Sequence, residues 1–383
     1  MARPEAVVPA PVAVPGADLA DLRERLRRTR WPEPATVDGW SQGVPLEFLQ
    51  ELCLYWAERY DWRAAERRLN AAGPVRTRVD GLGLHALHVV SPEPGALPLL
   101  LLHGWPGSVL ELLDVLGPLS DPRAHGGDPA DAFTLVVPSL PGYGFSDRPA
   151  EPGWGIERTA AACAELVARL GHGRFGTAGC DWGTSISTVL ARDHPDRVLM
   201  AHLVPPLVAP DPATLHEATP RERAAIAATA AGEADSGYAL VHRTRPQTIG
   251  YALVDSPAAL CAWLVEKFWA WSEDPAALDR DRVLDVVTSY WLTGTGASAA
   301  RLYRESHAAV SSWFTGEASF TVDVPVACTV FPADNPRPSR RWAGRRFRDV
   351  RHWGEPARGG HFPALEQPAV LVAELRAGFR HVR

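Results

Sequence analysis

The pentapeptide Gly179–Gly183 (Gly-Cys-Asp-Trp-Gly) has small residues two positions before and two positions after an aspartate, Asp181. It follows an apolar run that predicts a strand and opens a helical pattern, which is typical of a sharp turn that exposes one nucleophile above a sheet. A carboxylate is ionised at neutral pH and can attack carbon without a base, forming an alkyl ester. The same residues are also typical of an ordinary turn in which the aspartate caps the helix.

A second motif, His103-Gly104-Trp105-Pro106, directly follows the apolar run Leu99–Leu102. In the α/β-hydrolase plan, a loop at this place supplies one backbone N–H of the oxyanion hole, and the residue after the nucleophile supplies another. The predicted donors are therefore the backbone N–H groups of Trp105 and Trp182, which would stabilise negative charge on the Asp181 ester during hydrolysis. The residues expected to border the substrate are His103, with a ring that is itself structural, Trp105, Pro106 and Trp182.

Hydrolysis of an ester needs a general base. Among thirteen histidines, His361 lies after the last predicted strand and before the final predicted helix, Pro363–Phe379. Asp334 ends the preceding strand region and is predicted to orient that histidine. The chain order Asp181, Asp334, His361 is the nucleophile, acid, histidine order of this fold. Two alternative candidates for the acid are Glu355 and Asp211.

The elements that must position these residues begin near residue 75. Val75–Val79 and Leu84–Val90 predict a β-hairpin joined by Asp80-Gly-Leu-Gly. The apolar runs that follow alternate with helical patterns, which is typical of a mostly parallel α/β sheet flanked by helices. The further strands are predicted at Leu97–Leu102, Phe133–Val137, Arg174–Ala178, Leu199–Val204 and Val326–Phe331, and two of the helices at Thr159–Leu170 and Thr184–Asp193.

Two helical regions lie outside this alternation. Helical periodicity over Asp18–Arg30 and Leu46–Leu69 predicts an N-terminal helical region, residues 1–74, that packs on the core. Residues 208–319 contain helical, tryptophan-rich sequence without a comparable strand, which predicts a cap inserted into the sheet. The core is accordingly expected in two parts, residues 75–207 and 320–383.

Composition excludes several classes of function. The 39 basic and 45 acidic residues give a net charge of -6, the wrong sign for a protein that neutralises phosphates, so no nucleic-acid partner is expected. The longest apolar run is about seven residues, where a membrane span needs roughly 20. Residues 1–16 do not resemble a secretory signal. These patterns predict a cytoplasmic protein without a membrane partner, and they leave a homodimer open.

No pattern predicts a cofactor or a metal. The five cysteines are scattered and lack CxxC spacing, which argues against a disulfide framework and a structural zinc site. Gly171–Gly176 matches GxGxxG but precedes a predicted strand, whereas a dinucleotide loop follows one. His85 and His88 are three residues apart on a predicted strand and therefore point to opposite faces.

Taken together, these residues resemble the microsomal-type epoxide hydrolases, a branch of the α/β-hydrolase superfamily that includes juvenile hormone and fungal epoxide hydrolases. The resemblance covers nearly the whole chain. It is carried by Leu22–Trp31, Trp56–Asn70, His103-Gly-Trp-Pro-Gly-Ser, Pro141-Gly-Tyr-Gly-Phe-Ser, Asp181-Trp-Gly-Thr, Thr244-Arg-Pro-Gln-Thr-Ile-Gly, Tyr290-Trp-Leu-Thr-Gly-Thr and Arg358-Gly-Gly-His-Phe.

The resemblance implies that an epoxide and water are converted to a vicinal diol through a hydroxyalkyl ester on Asp181. It also implies two cap tyrosines that hydrogen-bond the epoxide oxygen, and these map onto Tyr238 and Tyr303. A phenol suits this role because the opening ring develops alkoxide charge. The family's bacterial members act in natural-product pathways, such as those of enediyne antibiotics, or in detoxification, and the sequence leaves this choice open.

Two alternatives to this activity remain at the level of sequence. A haloalkane dehalogenase resembles the chain in its aspartate nucleophile and in the tryptophan that follows, here Trp182. A catalytically silent ligand-binding protein of the same fold would be expected to lack a member of the triad, whereas this chain keeps all three. Large aromatic residues of the cap favour a bulky or aryl epoxide: Trp263, Phe268, Trp269, Trp271, Trp291, Trp313 and Phe314.

Overall fold

The computed structural model describes residues 5–234 and 236–383. Within them the strands are β1 (Val8–Pro9), β2 (Pro74–Val79), β3 (Leu82–Val89), β4 (Leu97–Leu102), β5 (Phe133–Pro138), β6 (Phe175–Cys180), β7 (Val198–Val204), β8 (Val326–Thr329) and β9 (Val350–Gly354). They form one sheet in the order β1-β2-β3-β5-β4-β6-β7-β8-β9.

The sheet changes character along this order. The pairs from β1 to β5 are antiparallel, whereas β5, β4, β6, β7, β8 and β9 run parallel to one another. The central parallel strands are apolar and buried because helices cover both faces, and Leu99 and Leu100 of β4 have no exposed surface. The predicted mostly parallel, helix-flanked sheet is confirmed, and the carboxyl ends of its parallel strands share one edge.

The helices fall into three groups along the chain. Those before the sheet are α1 (Gly16–Arg27), α2 (Leu46–Glu58) and α3 (Trp62–Ala71), and those that cover the sheet before the insertion are α4 (Leu113–Ser120), α5 (Ile156–Arg169) and α6 (Trp182–Asp193). The insertion between β7 and β8 holds α7 (Pro220–Ala234), α8 (Gly237–Thr244), α9 (Pro246–Asp255), α10 (Pro257–Trp271), α11 (Arg280–Thr293) and α12 (Gly296–Thr315). The chain ends with α13 (Arg340–Ala343), α14 (Pro363–Glu366) and α15 (Pro368–Phe379).

The structure refines several sequence predictions. The hairpin of β2 and β3 is confirmed, but its turn is only Asp80-Gly81, both at positive φ as a two-residue hairpin turn requires. The pattern Leu46–Leu69 forms two helices, because Asp61 caps α3 by accepting the Arg63 N–H at 2.9 Å. The predicted single helix Pro363–Phe379 is wrong: it divides at Gln367, before a proline that begins α15.

The N-terminal helices contact the cap as well as the core. Toward the core, Arg68 of α3 pairs with Asp114 of α4. Toward the cap, three side chains of the α2–α3 segment donate hydrogen bonds of 2.7–2.8 Å to α11. These bonds join Tyr55 to Asp281, Trp56 to Thr288 and Tyr60 to Asp285.

Helices α9 and α10 together form a long apolar segment. No single helix in the described part of the chain is long and apolar enough to cross a bilayer, and these two would reach that length only as a pair bent by 116°. The apolar character of α10 is explained by packing against α2, α9 and α11, which leaves Leu260 and Cys261 without exposed surface.

Candidate active site

Asp181 occupies the turn between β6 and α6 with φ 52° and ψ -123°, a conformation that side chains rarely adopt. The turn can be this tight because a Cβ on Gly179 would overlap the backbone of Gly183, and a Cβ on Gly183 would overlap the carbonyl of Leu102. The Asp181 side chain makes no capping hydrogen bond to α6 and instead lines a cavity. The alternative of an ordinary helix cap is therefore wrong.

The two predicted oxyanion donors both act on the Asp181 carboxyl group. The backbone N–H of Trp105 donates to Asp181 Oδ1 at 2.8 Å, and the backbone N–H of Trp182 lowers the pKa of the same carboxyl. Gly104 allows the approach, since a Cβ there would overlap the Asp181 side chain. Two fixed dipoles are thus directed at the oxygen atoms on which ester hydrolysis would develop charge.

His361 and Asp334 complete the arrangement from the neighbouring strand ends. His361 Nδ1 lies 2.8 Å from Asp334 Oδ1, and His361 Nε2 lies 3.7 Å from Asp181 Oδ2. Asp334 follows β8, and its side chain is only 3% exposed. Its Oδ1 also accepts the N–H of Asn335 at 2.8 Å, which fixes the carboxylate that holds the ring.

The two alternative acids lie elsewhere. Glu355 pairs with Arg221 and accepts the indole N–H of Trp353. Asp211 accepts the N–H of Ala213 and lies 3.3 Å from an arginine, Arg345. Of the three candidate acids, Asp334 is therefore the one that contacts His361 in the structure.

The charges of the site are strongly coupled. Burial lowers the pKa of His361, but the carboxylates of Asp334 and Asp181 outweigh it and raise that pKa to about 9. Burial raises the pKa of Asp181, and the opposing effects are those of His361 and the two backbone N–H groups. The pKa of the Asp181 carboxyl is raised overall, and the neighbouring His361 limits that rise.

The predicted tyrosines face the nucleophile from the cap. Tyr238 on α8 and Tyr303 on α12 both line the cavity, with ring centres 5.8 Å apart. Tyr238 stacks on Trp105 at 5.1 Å, and Tyr303 meets Trp182 edge-on at 4.8 Å. Burial raises the pKa of both phenols, so they are protonated donors at neutral pH.

The cavity has a volume of about 570 Å³ and lies between the core and the cap. Of the residues predicted to border the substrate, Trp182 lines it. The prediction is wrong for the side chains of Trp105 and Pro106, which are buried outside the lining, and Trp105 lies behind the ring of Tyr238.

His103 is also not a substrate contact. Its ring has no exposed surface, accepts the Leu140 N–H at Nε2 and lies 3.0 Å from the Gly104 carbonyl through Nδ1. Because Nε2 accepts, the neutral ring carries its proton on Nδ1 and donates to that carbonyl. Burial lowers the pKa of His103 to about 4, as expected for a ring that holds the loop in place.

Sequence reasoning missed one buried acid near the triad. Glu111 lies just after the His103 motif, and burial raises its pKa to about 8. Its Oε2 has no hydrogen-bond partner among the described residues. A charged residue inside the apolar run Val109–Leu113 was the available signal.

Sequence reasoning also missed the aromatic support of the site. Trp271 packs against His361 at 4.9 Å, and the ring of His242 packs against Trp105 and Tyr303 at 4.8 and 4.9 Å. Both belong to the cap, where sequence spacing does not show which rings meet. Across the described residues, no group of three or more His, Cys, Asp or Glu side chains could hold a metal ion.

A mostly parallel sheet with an aspartate at its strand-to-helix turn, beside a histidine–aspartate pair, defines an α/β-hydrolase with aspartate at the nucleophile position. Family models agree: residues 98–234 match the alpha/beta hydrolase fold, and residues 7–112 match the epoxide hydrolase N terminus.

Three relatives extend this match to the whole chain. A Stigmatella aurantiaca protein named "Putative epoxide hydrolase" is 48% identical over 98% of this chain and 86% of its own length. "Epoxide hydrolase 1" of Sus scrofa is 31% identical over 98% of this chain and 89% of its own length. The structure of the Aspergillus niger epoxide hydrolase superposes with a TM-score of 0.88 at 31% identity, covering 100% of this chain and 97% of that one.

The chain therefore belongs to the epoxide hydrolase family, and it is a hydrolase that acts on epoxides. This match decides against the dehalogenase and silent-binder alternatives, which the isolated motifs had left open.

Proposed function

We propose that Asp181 opens the epoxide by attacking one ring carbon, while Tyr238 and Tyr303 donate hydrogen bonds to the ring oxygen. The new bond joins an Asp181 carboxylate oxygen to carbon, and the broken carbon–oxygen bond leaves a hydroxyl after proton transfer. One observation carries this proposal: the nucleophile, both phenols and His361 line the same cavity. An epoxide placed there would meet a carboxylate on one side and two phenols on the other.

The second step is hydrolysis of the ester, with His361 as the base. His361 Nε2 takes a proton from water, and the oxygen attacks the carbonyl carbon of the ester. The N–H groups of Trp105 and Trp182 stabilise the resulting oxyanion, which collapses to the free Asp181 carboxylate and the diol. Asp334 stabilises the imidazolium and holds the ring in place.

Charge explains why the same histidine can serve after the first step. The Asp181 carboxylate is one of the groups that raise the pKa of His361 in the free enzyme. Ester formation removes that negative charge, so the pKa of His361 falls and the ring becomes available as a neutral base. The order of the two steps is thus supported by the electrostatics of the site.

The shape of the cavity favours a bulky epoxide. A volume of about 570 Å³ lies within the ~300–1,000 Å³ typical of ligand pockets. Leu207, Val310 and Phe314 give it apolar walls. The large aromatic residues of the cap support a bulky epoxide less than the sequence suggested. Of the seven that the sequence analysis named, only Phe314 is among the described residues that line the cavity. A role in natural-product biosynthesis or in detoxification follows from the resemblance alone.

The test is the intact mass of the His361→Gln variant after mixing with styrene oxide, beside a diol assay of the unchanged protein. Attack by Asp181 does not need the base, whereas hydrolysis does, so we expect a mass gain of one epoxide. The gain should disappear in the double variant His361→Gln/Asp181→Ala. His216→Gln is a matched control because His216 is an exposed histidine beside Glu217.

Two results would contradict the mechanism. Full diol formation by Asp181→Ala would exclude this nucleophile. Halide release from a chloroalkane at a rate above epoxide turnover would instead favour the dehalogenase reaction. If styrene oxide gives neither ester nor diol, the same mass assay is repeated with larger aryl and alkyl epoxides, and failure of the whole series would reject the proposal.

A further inference from the structure

Lys267 is the only lysine in the chain, and arginine occupies every other Lys or Arg position. It lies on α10 and is only 7% exposed, which is uncommon for lysine because an ammonium loses hydration on burial. Its Nζ lies 4.3 Å from the ring centre of Tyr238 and 5.5 Å from that of Trp271. Its ion-pair partner is the adjacent Glu266, at 2.5 Å.

This cation distinguishes the two phenols that face the nucleophile. The Tyr238 ring contacts both Lys267 and Trp105, and the indole is stacked almost parallel to it at 7°. Tyr303 instead packs edge-on against Trp105, Trp182 and Tyr238. Among the described residues, no lysine or arginine lies over the ring of Tyr303.

A cation against a phenol ring changes what that phenol can do. As an epoxide opens, a tyrosine that gives up its proton gains negative charge on its oxygen and ring. A nearby ammonium attracts this charge more strongly than it attracts the neutral ring, so it stabilises the later stage of proton transfer. The effect is large where water is excluded, as it is beside the mostly buried Lys267.

We propose that Lys267 makes Tyr238, and not Tyr303, the proton donor to the epoxide oxygen. The Tyr238 proton moves to the oxygen as the carbon–oxygen bond breaks, and the phenolate that forms is stabilised by the ammonium. Tyr303 remains a hydrogen-bond donor. The proton that His361 loses when the ester forms passes through solvent to Tyr238, and the proton that His361 later takes from water restores the imidazolium, so the cycle balances. Lys267 is a positioning residue, and this role rests on the function proposed above.

The other groups that face Tyr238 are consistent with a need for this cation. Burial is the largest influence that raises the pKa of the Tyr238 phenol, followed by Asp181, and Glu266 adds to it. The hydroxyl of Tyr303 lowers that pKa. His242 cannot supply charge, because burial and Lys267 together lower its pKa to about 3. Within the described surroundings of this ring, Lys267 is the cation that lies directly against it, 4.3 Å from the ring centre.

The first measurement is independent of turnover. A difluorotyrosine placed at position 238 has a more acidic phenol than tyrosine and gives one fluorine NMR signal that titrates. We expect Lys267→Met to raise the pKa of this phenol by about one unit, and Lys267→Arg to restore it. Arg280→Met is the matched control. Arg280 of α11 lies 5.0 Å from the ring centre of Tyr55, a tyrosine of α2 that does not line the cavity.

The second measurement is the single-turnover rate of ester formation. Lys267→Met should lower this rate about tenfold, with little change in the substrate concentration at half-saturation. In a Tyr238→Phe background the same substitution should have almost no effect, because the phenol it assists is gone. In a Tyr303→Phe background the full loss should remain, and Lys267→Arg should recover most of the rate in the unchanged protein.

The proposal fails if Lys267→Met leaves the fluorophenol pKa unchanged, or if the rate loss is equally large without the Tyr238 hydroxyl. A loss of rate with a lowered melting temperature, matched in all three backgrounds, would show a purely structural role. Absence of ester in the His361→Gln variant together with absence of diol from the unchanged protein would reject the proposed function instead, and the NMR titration would still report whether Lys267 acts on Tyr238.

Discussion

The two walls of the cavity are built by different physics. On the core side, Asp181, His361 and Asp334 are joined by a hydrogen bond and ion pairs at 2.8–3.7 Å, and the backbone N–H of Trp105 holds the Asp181 carboxylate. On the cap side, Tyr238 and Tyr303 are held mainly by ring packing, with ring centres 4.8–5.8 Å from neighbouring aromatic groups.

This difference suggests a division of labour. Hydrogen bonds and charges fix individual atoms, which suits the side where bonds are made and broken. Ring packing depends on shape and tolerates small displacements, which suits the side that adapts to the substrate. Substitutions on the core wall should therefore abolish ester formation or ester hydrolysis. Substitutions on the cap wall should lower the rates of these steps only partly.

The largest effect is expected on the core wall at Asp181. Asp181→Asn should lower epoxide turnover by about 10⁴-fold or more, because a neutral amide is not a nucleophile toward the ring carbon. Measurements of diol release and of ester mass should both show the loss, with an unchanged melting temperature as the control. Ester formed on the Asp181→Asn variant would contradict both the role of Asp181 and the proposed difference between the core wall and the cap wall.

The orienting acid should affect one step only. Asp334→Asn is expected to slow ester hydrolysis by about 10²- to 10⁴-fold, because an amide does not stabilise the His361 imidazolium. Ester formation should change far less, so the ester accumulates in rapid-quench mass spectra. Glu355→Gln is the matched variant, and it should leave both rates unchanged because Glu355 pairs with Arg221. Equal slowing of both steps would contradict this assignment.

Substitutions of the cap tyrosines should lower the rate of ester formation only partly. Tyr303→Phe is expected to slow ester formation by about 10- to 100-fold, because one of two donors to the epoxide oxygen is removed. Stopped-flow tryptophan fluorescence can follow this step. Tyr251→Phe serves as the comparison, since Tyr251 is a cap tyrosine that is 70% exposed. A loss as large as that of Asp181→Asn would show that the two walls are not different in kind.

The two steps should also differ in their dependence on pH. Hydrolysis requires neutral His361, so its rate should fall about tenfold per pH unit once the pH is below the pKa of that ring in the ester. Ester formation requires ionised Asp181 and tolerates the imidazolium, so its rate should stay flat until that carboxylate is protonated at lower pH. Single-turnover rates of ester formation and of ester hydrolysis, measured between about pH 5 and 9, test this difference. The same pH dependence for both rates would contradict the prediction.

The smallest effect concerns how the cap is held in place. Tyr60→Phe should lower the free energy of unfolding by about 1–2 kcal/mol, because it removes a buried hydrogen bond to Asp285 on α11. Tyr55→Phe, at the less buried bond to Asp281, should cost less. Chemical denaturation compares the two. Equal losses would indicate that burial of the bond is unimportant.

Much of the core wall could be predicted from the sequence, because the motifs that indicate it span only a few neighbouring residues. The glycines beside Asp181 indicate a turn that only small residues allow, and the residue after the nucleophile is a donor by its position in that turn. His103 shows the limit of such reasoning, because the same motif supplies a backbone donor at Trp105 and a buried structural ring at His103. The sequence did not indicate that neither of these two side chains lines the cavity.

The sequence by itself determined the succession of strands from β2 to β8, the turn that carries Asp181 and the choice of His361, because apolar periodicity and glycine spacing act over a few neighbouring residues. Only the tertiary structure decided which acid reaches His361, which rings line the cavity, and that the single lysine lies against one tyrosine. Those contacts join residues that are far apart in the chain, from Lys267 on α10 to Tyr238 on α8 and from Tyr60 to α11. They depend on how helices pack, which local patterns do not specify.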